Sequence, residues 1–371
     1  MILNIQILRF IAALWVVFLH AKPPVFFGHL MPELPKFLTF IQKTGFIGVD
    51  IFFVISGVIM ALTTHRTTPS IKSGANFLLT RYARIYSGWW PFFILYLVAF
   101  QSMGWLNEEK KLVESFWLIP MGLNHYIIPI VWTLSFELFF YTIIAILLPF
   151  KLSTRVKSIA SLLIFFAIFI IYSAYQGYYT PDRFGETWPV HQFIFFPLIT
   201  EFMAGFLLYE WHNKYKPKLA FPWFIGAIIF FLLAFHFQKN YITLHPDGLE
   251  GYFYSHWRAF LIGGFSLCLV AAALISKPWL GSAGKFMAML GDSSYAVYLG
   301  HVLIISATTW IMFLLNWPLS IRAVGYALMF FAIIAYSHFH TKWIERPLYN
   351  LMIRLIERIF PKTKNKKISE I

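Results

Sequence analysis

The sequence predicts an all-α, polytopic membrane fold of about ten transmembrane helices, with both chain ends in the cytoplasm. Three observations predict it. Hydrophobic residues make up 59% of the chain and charged residues only 12%, whereas a soluble domain carries about a quarter charged residues. Long, nearly uncharged runs recur along all 371 residues. Most approach the ~20 residues that cross a ~30 Å hydrocarbon core at ~1.5 Å per residue. The basic residues collect between alternate runs instead of within them.

The first span, 5–21, follows Met1 with no basic n-region and no small-residue cleavage site, and reads as a retained helix rather than a signal peptide. The second, 45–63, opens on GFIGVD. The third, 88–105, follows KSGANFLLTRYARIYS (72–87), which reads as a basic amphipathic helix on the inner surface. Spans 130–149 and 158–175 flank a short basic connection, and 192–210, 221–238 and 258–276 continue the alternation. Spans 293–314 and 322–341 complete it. Residues 1–350 form one transmembrane domain, and 351–371 a basic cytoplasmic tail resting against the anionic inner leaflet.

With the N-terminus inside, most of the 30 Lys and Arg residues fall on the cytoplasmic side. Arg66, Lys72, Arg81 and Arg84 follow span two; Lys151, Arg155 and Lys157 follow span four. Lys214, Lys216 and Lys218 follow span six, Lys277 and Lys285 follow span eight, and the C-terminal region holds many more. The outer side carries fewer, among them Lys36, Arg183, Lys239 and Arg258. This bias sets the orientation. It also accounts for the net charge of +14 without a nucleic-acid partner. The single cysteine, Cys268, excludes an intrachain disulfide and a Cys-based metal cluster. No metal and no permanently bound cofactor is expected.

Ionisable groups in such spans are expensive and mark candidate sites. Arg9 and His20 stand eleven residues apart, about three turns on one face of span one. Each either serves a site or snorkels to its interface. Asp50 enters span two from the outer side, to orient a histidine or to sit among headgroups. Arg81 and Arg84 are i,i+3 neighbours whose guanidinium groups can converge on one anion; plain positive-inside topology is the rival reading. Glu137, in WTLSFELFFY with Ser135 and Tyr141, lies several residues inside span four, which topology does not explain. In DSSYAVYLGH, Asp292 and the serines read as a helix N-cap. Tyr295, Tyr298 and His301 either line a channel or bond between helices. By depth along the spans, His20, Asp50 and Glu137 fall toward the outer side and the arginines toward the inner, an arrangement suited to a long phosphate-bearing donor.

Six runs, in order, resemble acyltransferase family 3 of bacterial envelope proteins, of the stand-alone exopolysaccharide or O-antigen O-acetyltransferase type. They are LRFIAALWVVFLH, GVDIFFVISGVIM, RYARIY, WTLSFELFFY, SSYAVYLGH and WIERPL, spread over about residues 3–350. The resemblance implies an acyl-CoA co-substrate, acetyl-CoA above all, and a hydroxyl of an envelope polysaccharide or its lipid-linked precursor as acceptor. It implies that the pair Arg9 and His20 is essential and that Arg81 and Arg84 bind the donor. Relatives often carry further basic residues before span three; here Arg81 and Arg84 stand without them. Some relatives carry a fused hydrolase-like domain; none is expected from these 371 residues, so the chain is expected to finish the reaction itself or hand on to a partner. The setting is the bacterial inner membrane, among its lipids, as a homo-oligomer or within a glycan-synthesis complex.

The expected mechanism makes His20 the general base on the acceptor hydroxyl. Glu137, or failing that Asp50, orients it. Arg81 and Arg84 hold the phosphates, with Arg9, Tyr298 and His301 along the donor path. Ser135, Tyr141, Glu345 and Arg346 shape or gate the site. Direct attack and an acyl-histidine both remain open. Trp188 and Trp257 either stack on sugars or belong to an interfacial belt. The rival from another class is a transporter or flippase of lipid-linked sugars, although no duplicated halves are found.

Overall fold

The computed structural model describes residues 2–22, 26, 41–176, 196, 198–237 and 257–359. Among them there is no strand. The helices are α1 (Leu3–His20), α2 (Ile47–Thr64), α3 (Ile71–Met103) and the short α4 (Leu112–Trp117). Next come α5 (Trp132–Leu147), α6 (Leu152–Tyr175), α7 (Ile199–Tyr215), α8 (Phe221–Phe237) and α9 (Trp257–Ile275). The amphipathic α10 (Ser282–Asp292) precedes α11 (Ser294–Leu314) and α12 (Leu319–His340). A π turn, Thr341–Glu345, joins α12 to α13 (Arg346–Ile359).

Among the described residues, seven helices are long and apolar enough to cross a membrane: α1, α2, α5, α6, α9, α11 and the α12–α13 rod. The other predicted spans fall on α3, whose first half is basic and polar, and on α7 and α8, which have 17 residues each. Lys36, Arg183, Lys239, Trp188 and the tail from residue 360 lie outside the described residues, and 351–359 continue α13.

The expected surface helix and third span are one rod of 33 residues, about 50 Å long. Ser70 starts it by accepting from the Ser73 backbone N–H at 3.0 Å. Gly104 ends it in the left-handed region at φ 70. Pro91 sits inside and removes the donor that the Ser87 carbonyl would otherwise receive.

Helix α2 is the hub, packed against α1, α5, α7 and α9. In lipid no hydrophobic force drives helices together, so close backbone approach supplies the association. A Cβ on Gly57 would strike the Phe202 carbonyl of α7, and one on Gly205 would strike the Val54 carbonyl of α2. Each helix therefore places a glycine against the other's backbone. Around this contact the aromatic core closes, with Phe140 of α5 stacked on Phe202 at 4.2 Å. Helices α6 and α8 stand at the edge and turn Ile168, Ile171, Leu232 and Leu233 outward.

Segments that the charge pattern assigns to one side do share one end of the molecule. Arg155 donates to the Thr64 carbonyl at 2.9 Å, Asn4 to the Ser276 carbonyl at 3.1 Å, and His65 pairs with Glu210 at 2.9 Å. We call this the basic end. His20, at the C-terminus of α1, points the chain toward the other.

Candidate active site

A cavity of about 550 Å³ lies between α1, α2, α3, α5 and α11, near the basic end. Gln6 and Arg9 of α1, Phe52 and Ser56 of α2, and Arg81 and Arg84 of α3 line it. So do Thr133, Glu137 and Tyr141 of α5, Tyr295 and Tyr298 of α11, and Asp292, Arg346 and Tyr349. A second hollow of about 320 Å³ shares Arg81, Arg84 and Tyr349 with it and adds Thr63, Thr67, Ser73, Asn76 and Thr80. The two form a polar vestibule and a deeper chamber with the arginine pair at the junction.

The i,i+3 spacing on α3 is what turns both guanidinium groups to one side. Their electrostatic states differ. Arg84 is paired with Glu345, which the π turn presents fully buried; it also lies 5.7 Å from the Tyr295 ring centre. Arg81 donates to the Thr63 hydroxyl at 2.9 Å, and Arg9 to the Gln6 side-chain oxygen at 3.4 Å. Among the described residues neither forms an ion pair, so two positive charges face the cavity without a bonded counter-charge. Glu137 accepts from the Ser56 hydroxyl at 2.8 Å and lies within electrostatic reach of all three arginines. Asp292 was expected to cap α11. It ends α10 instead, accepts from Gln6 and faces Arg346 at 3.8 Å. Forked donors not held in an ion pair, as on Arg9 and Arg81, suit phosphate oxygens.

The chamber ends at Tyr298 and Phe52, whose ring centres are 6.1 Å apart. The Tyr298 hydroxyl donates to the Ile130 carbonyl at 2.9 Å and lies 3.0 Å from the Thr133 hydroxyl. Beyond Tyr298, one helical turn along α11, His301 is fully buried. Its Nε2 is 3.1 Å from Nδ1 of His20, which is partly exposed. The histidine pair thus adjoins the blind end of the cavity without lining it.

The carboxylates expected to orient His20 lie elsewhere. Glu137 is inside the chamber among the arginines. Asp50 is fully buried and bonded by both oxygens to Arg258 of α9, at 2.8 and 2.7 Å. Glu201, in the first turn of α7, lies beside this pair. Arg258 reads in the sequence as an outer topology residue; the structure makes it the buried partner of Asp50. The signal was available: two opposite charges open two apolar spans of the same direction. Ser135 lies outside the cavity and meets the Tyr126 hydroxyl at 2.9 Å. Tyr141 and Arg346 line the cavity, and Glu345 reaches it through Arg84. Ser56, Gln6, Thr133 and Tyr349 are lining residues that the sequence reading missed, as small polar groups in apolar runs carry little signal on their own.

A family model described as an acyltransferase domain matches residues 2–338. No curated protein and no solved structure matches the chain.

Proposed function

The chain belongs to acyltransferase family 3, and from that premise we propose that it moves an acetyl group from acetyl-CoA to a hydroxyl of an envelope polysaccharide or its lipid-linked precursor. The observation that carries the reading is a cavity that starts among the arginines at the basic end and stops one helical turn short of the histidine pair. It begins among polar groups at the basic end, passes Arg81 and Arg84, and stops at Tyr298 beside His301 and His20. A donor with phosphates at one end and a thioester at the other fits that polarity.

In this reading the basic end is cytoplasmic, all ten apolar runs span the inner membrane of a bacterium, and both termini are inside. Arg81 and Arg9 take the phosphates first, because their charges are not already bonded. Glu137 offsets the mutual repulsion of the three arginines and accepts from amide N–H groups of the donor's arm when the phosphates take its place. Tyr298 and Phe52 must shift for the thioester to reach His20. The acceptor approaches the exposed side of His20, and Trp257, 40% exposed at the start of α9, offers a sugar-stacking surface.

His20 takes the proton of the acceptor hydroxyl as the oxygen attacks the thioester carbonyl. The new C–O bond forms, the C–S bond breaks, and the proton passes from the imidazolium to the departing sulfur. Base catalysis of this kind is worth roughly 10²–10⁴-fold.

The test is acyl transfer in sealed inverted membrane vesicles, with labelled acetyl-CoA added to the exposed cytoplasmic face. Label should enter the endogenous glycan with the wild type and not with His20→Ala. If His20→Ala labels glycan as fast as the wild type, the assigned base is wrong. If no variant transfers label while acceptor is present, transport replaces transfer as the reading.

A further inference from the structure

We infer that His301 is the positioning residue for His20, and that it fixes Nε2 of His20 as the basic nitrogen. The inference rests on the assignment of His20 as base and goes on from hydrogen-bond directions alone. His301 Nδ1 lies 2.6 Å from the Tyr298 carbonyl and 3.2 Å from the Val297 carbonyl. Carbonyl oxygens only accept, so this nitrogen carries the hydrogen. In a neutral imidazole the other nitrogen then holds a lone pair.

That lone pair, on Nε2, faces His20 Nδ1 at 3.1 Å. The same His20 nitrogen lies 3.0 Å from the Val16 carbonyl. Both neighbours accept, so His20 Nδ1 carries its hydrogen and shares it between them. His20 Nε2 is left as the lone-pair nitrogen. The opposite arrangement would need a doubly protonated His301 with no exposed surface and, among the described residues, no carboxylate paired with it, a charge that burial strongly disfavours.

The chain of donors therefore runs one way, from His20 through His301 to the backbone of α11. The role expected of a carboxylate is filled by a neutral ring. Asp50 is committed to Arg258 and Glu137 to Ser56. When His20 takes the acceptor's proton on Nε2, its Nδ1 hydrogen stays bonded to His301 and Val16. Nothing needs to move, and the proton leaves again through Nε2 to the thioester sulfur. The 53° tilt between the rings, with centres 4.9 Å apart, also sets the direction in which Nε2 points. Because the acceptor for His301 is the Tyr298 carbonyl, the base is held by the same helical turn that closes the donor cavity.

Two near-isosteric variants separate this role from packing. In His301→Gln the amide oxygen stands where Nε2 stood and still accepts from His20. In His301→Asn the amide stands at the Nδ1 position, keeps the bond to the backbone and leaves His20 Nδ1 with the Val16 carbonyl alone and no partner from α11. In the vesicle assay, His301→Asn should lower kcat by roughly 10–100-fold, the range found when the orienting partner of a metal-bound histidine is lost, with KM for acetyl-CoA unchanged. His301→Gln should keep most of the wild-type kcat. Equal kcat in the two variants, high or low, overturns the positioning role, and so does a loss expressed in KM. His20→Ala, run alongside, keeps the two ideas apart: if it transfers label normally the base assignment fails, whereas a dead His20→Ala beside equal His301 variants removes only the role of His301.

Discussion

Two groups of charges sit inside this helix bundle, and they are built in opposite ways. At the basic end, Arg9 and Arg81 face a cavity with neutral hydrogen-bond partners only, and Glu137 faces them across it. At the other end, Asp50 and Arg258 are fully buried and bonded through two parallel contacts, with Glu201 alongside. The same sequence signal, an ionisable residue in an apolar run, has produced a ligand-ready surface in one place and a lock between α2 and α9 in the other. What separates them is pairing and water. A charge that opens onto a cavity keeps its capacity for a ligand, whereas a dry pair spends that capacity on its partner.

The contrast can be broken from either side. The largest effect should come from Arg258→Ala, which strands a buried carboxylate and should cost about 3–5 kcal/mol. The melting temperature in detergent and the folded yield read this, and the double replacement Asp50→Leu with Arg258→Met should recover part of the loss. If Arg258→Ala melts with the wild type, the lock is not structural. At the cavity, Arg81→Ala should leave melting unchanged and raise the KM for acetyl-CoA by roughly ten- to a hundredfold, the worth of one charged hydrogen bond of about 1.5–3 kcal/mol. A smaller shift sharpens the point. Glu345→Gln releases Arg84, the one arginine of α3 that is already paired, and should lower the donor KM a few-fold, about as one charge-assisted bond exceeds a neutral one. A raised KM would instead make Glu345 part of the binding surface. Smallest of all, Ser135→Ala removes a bond to Tyr126 outside the cavity. It should cost about 1 kcal/mol in melting and leave kcat and KM alone.

Hydropathy made the apolar runs and the shared basic end legible, because burial in lipid leaves few other readings of such runs. The site was legible only in part. Counting residues along a span gives depth, and by depth Glu137 belongs with His20. That depth is coarse where hydropathy does not fix the span ends, and it does not give rotation. Glu137 packs level with Arg9 and Arg81, about three turns along α1 from His20. Arg81 and Arg84 were readable as a pair because i,i+3 spacing fixes rotation locally. Asp50 and Arg258 are 208 residues apart, and no local rule joins them. His301 was visible as a residue but not as the neighbour of His20, since only the packing of α1 against α11 brings the two rings together.

The π turn at Thr341–Glu345 makes the molecule sensitive to length as well as to identity. A π turn holds one residue more than the α-helix it interrupts, so removing a single residue there would let the helix close into a regular ladder. The flanks would keep nearly the same relative rotation, because the wider turn already absorbs the extra residue, but the residues inside the turn would lose their present facing. Glu345, inside the turn, is held against Arg84 by that count. Replacing side chains one at a time along α12 and α13 would leave this dependence unseen, because no single substitution changes the number of residues between two fixed contacts. Deleting one residue and inserting another a turn later would keep the composition and the chain length nearly the same, and would expose it.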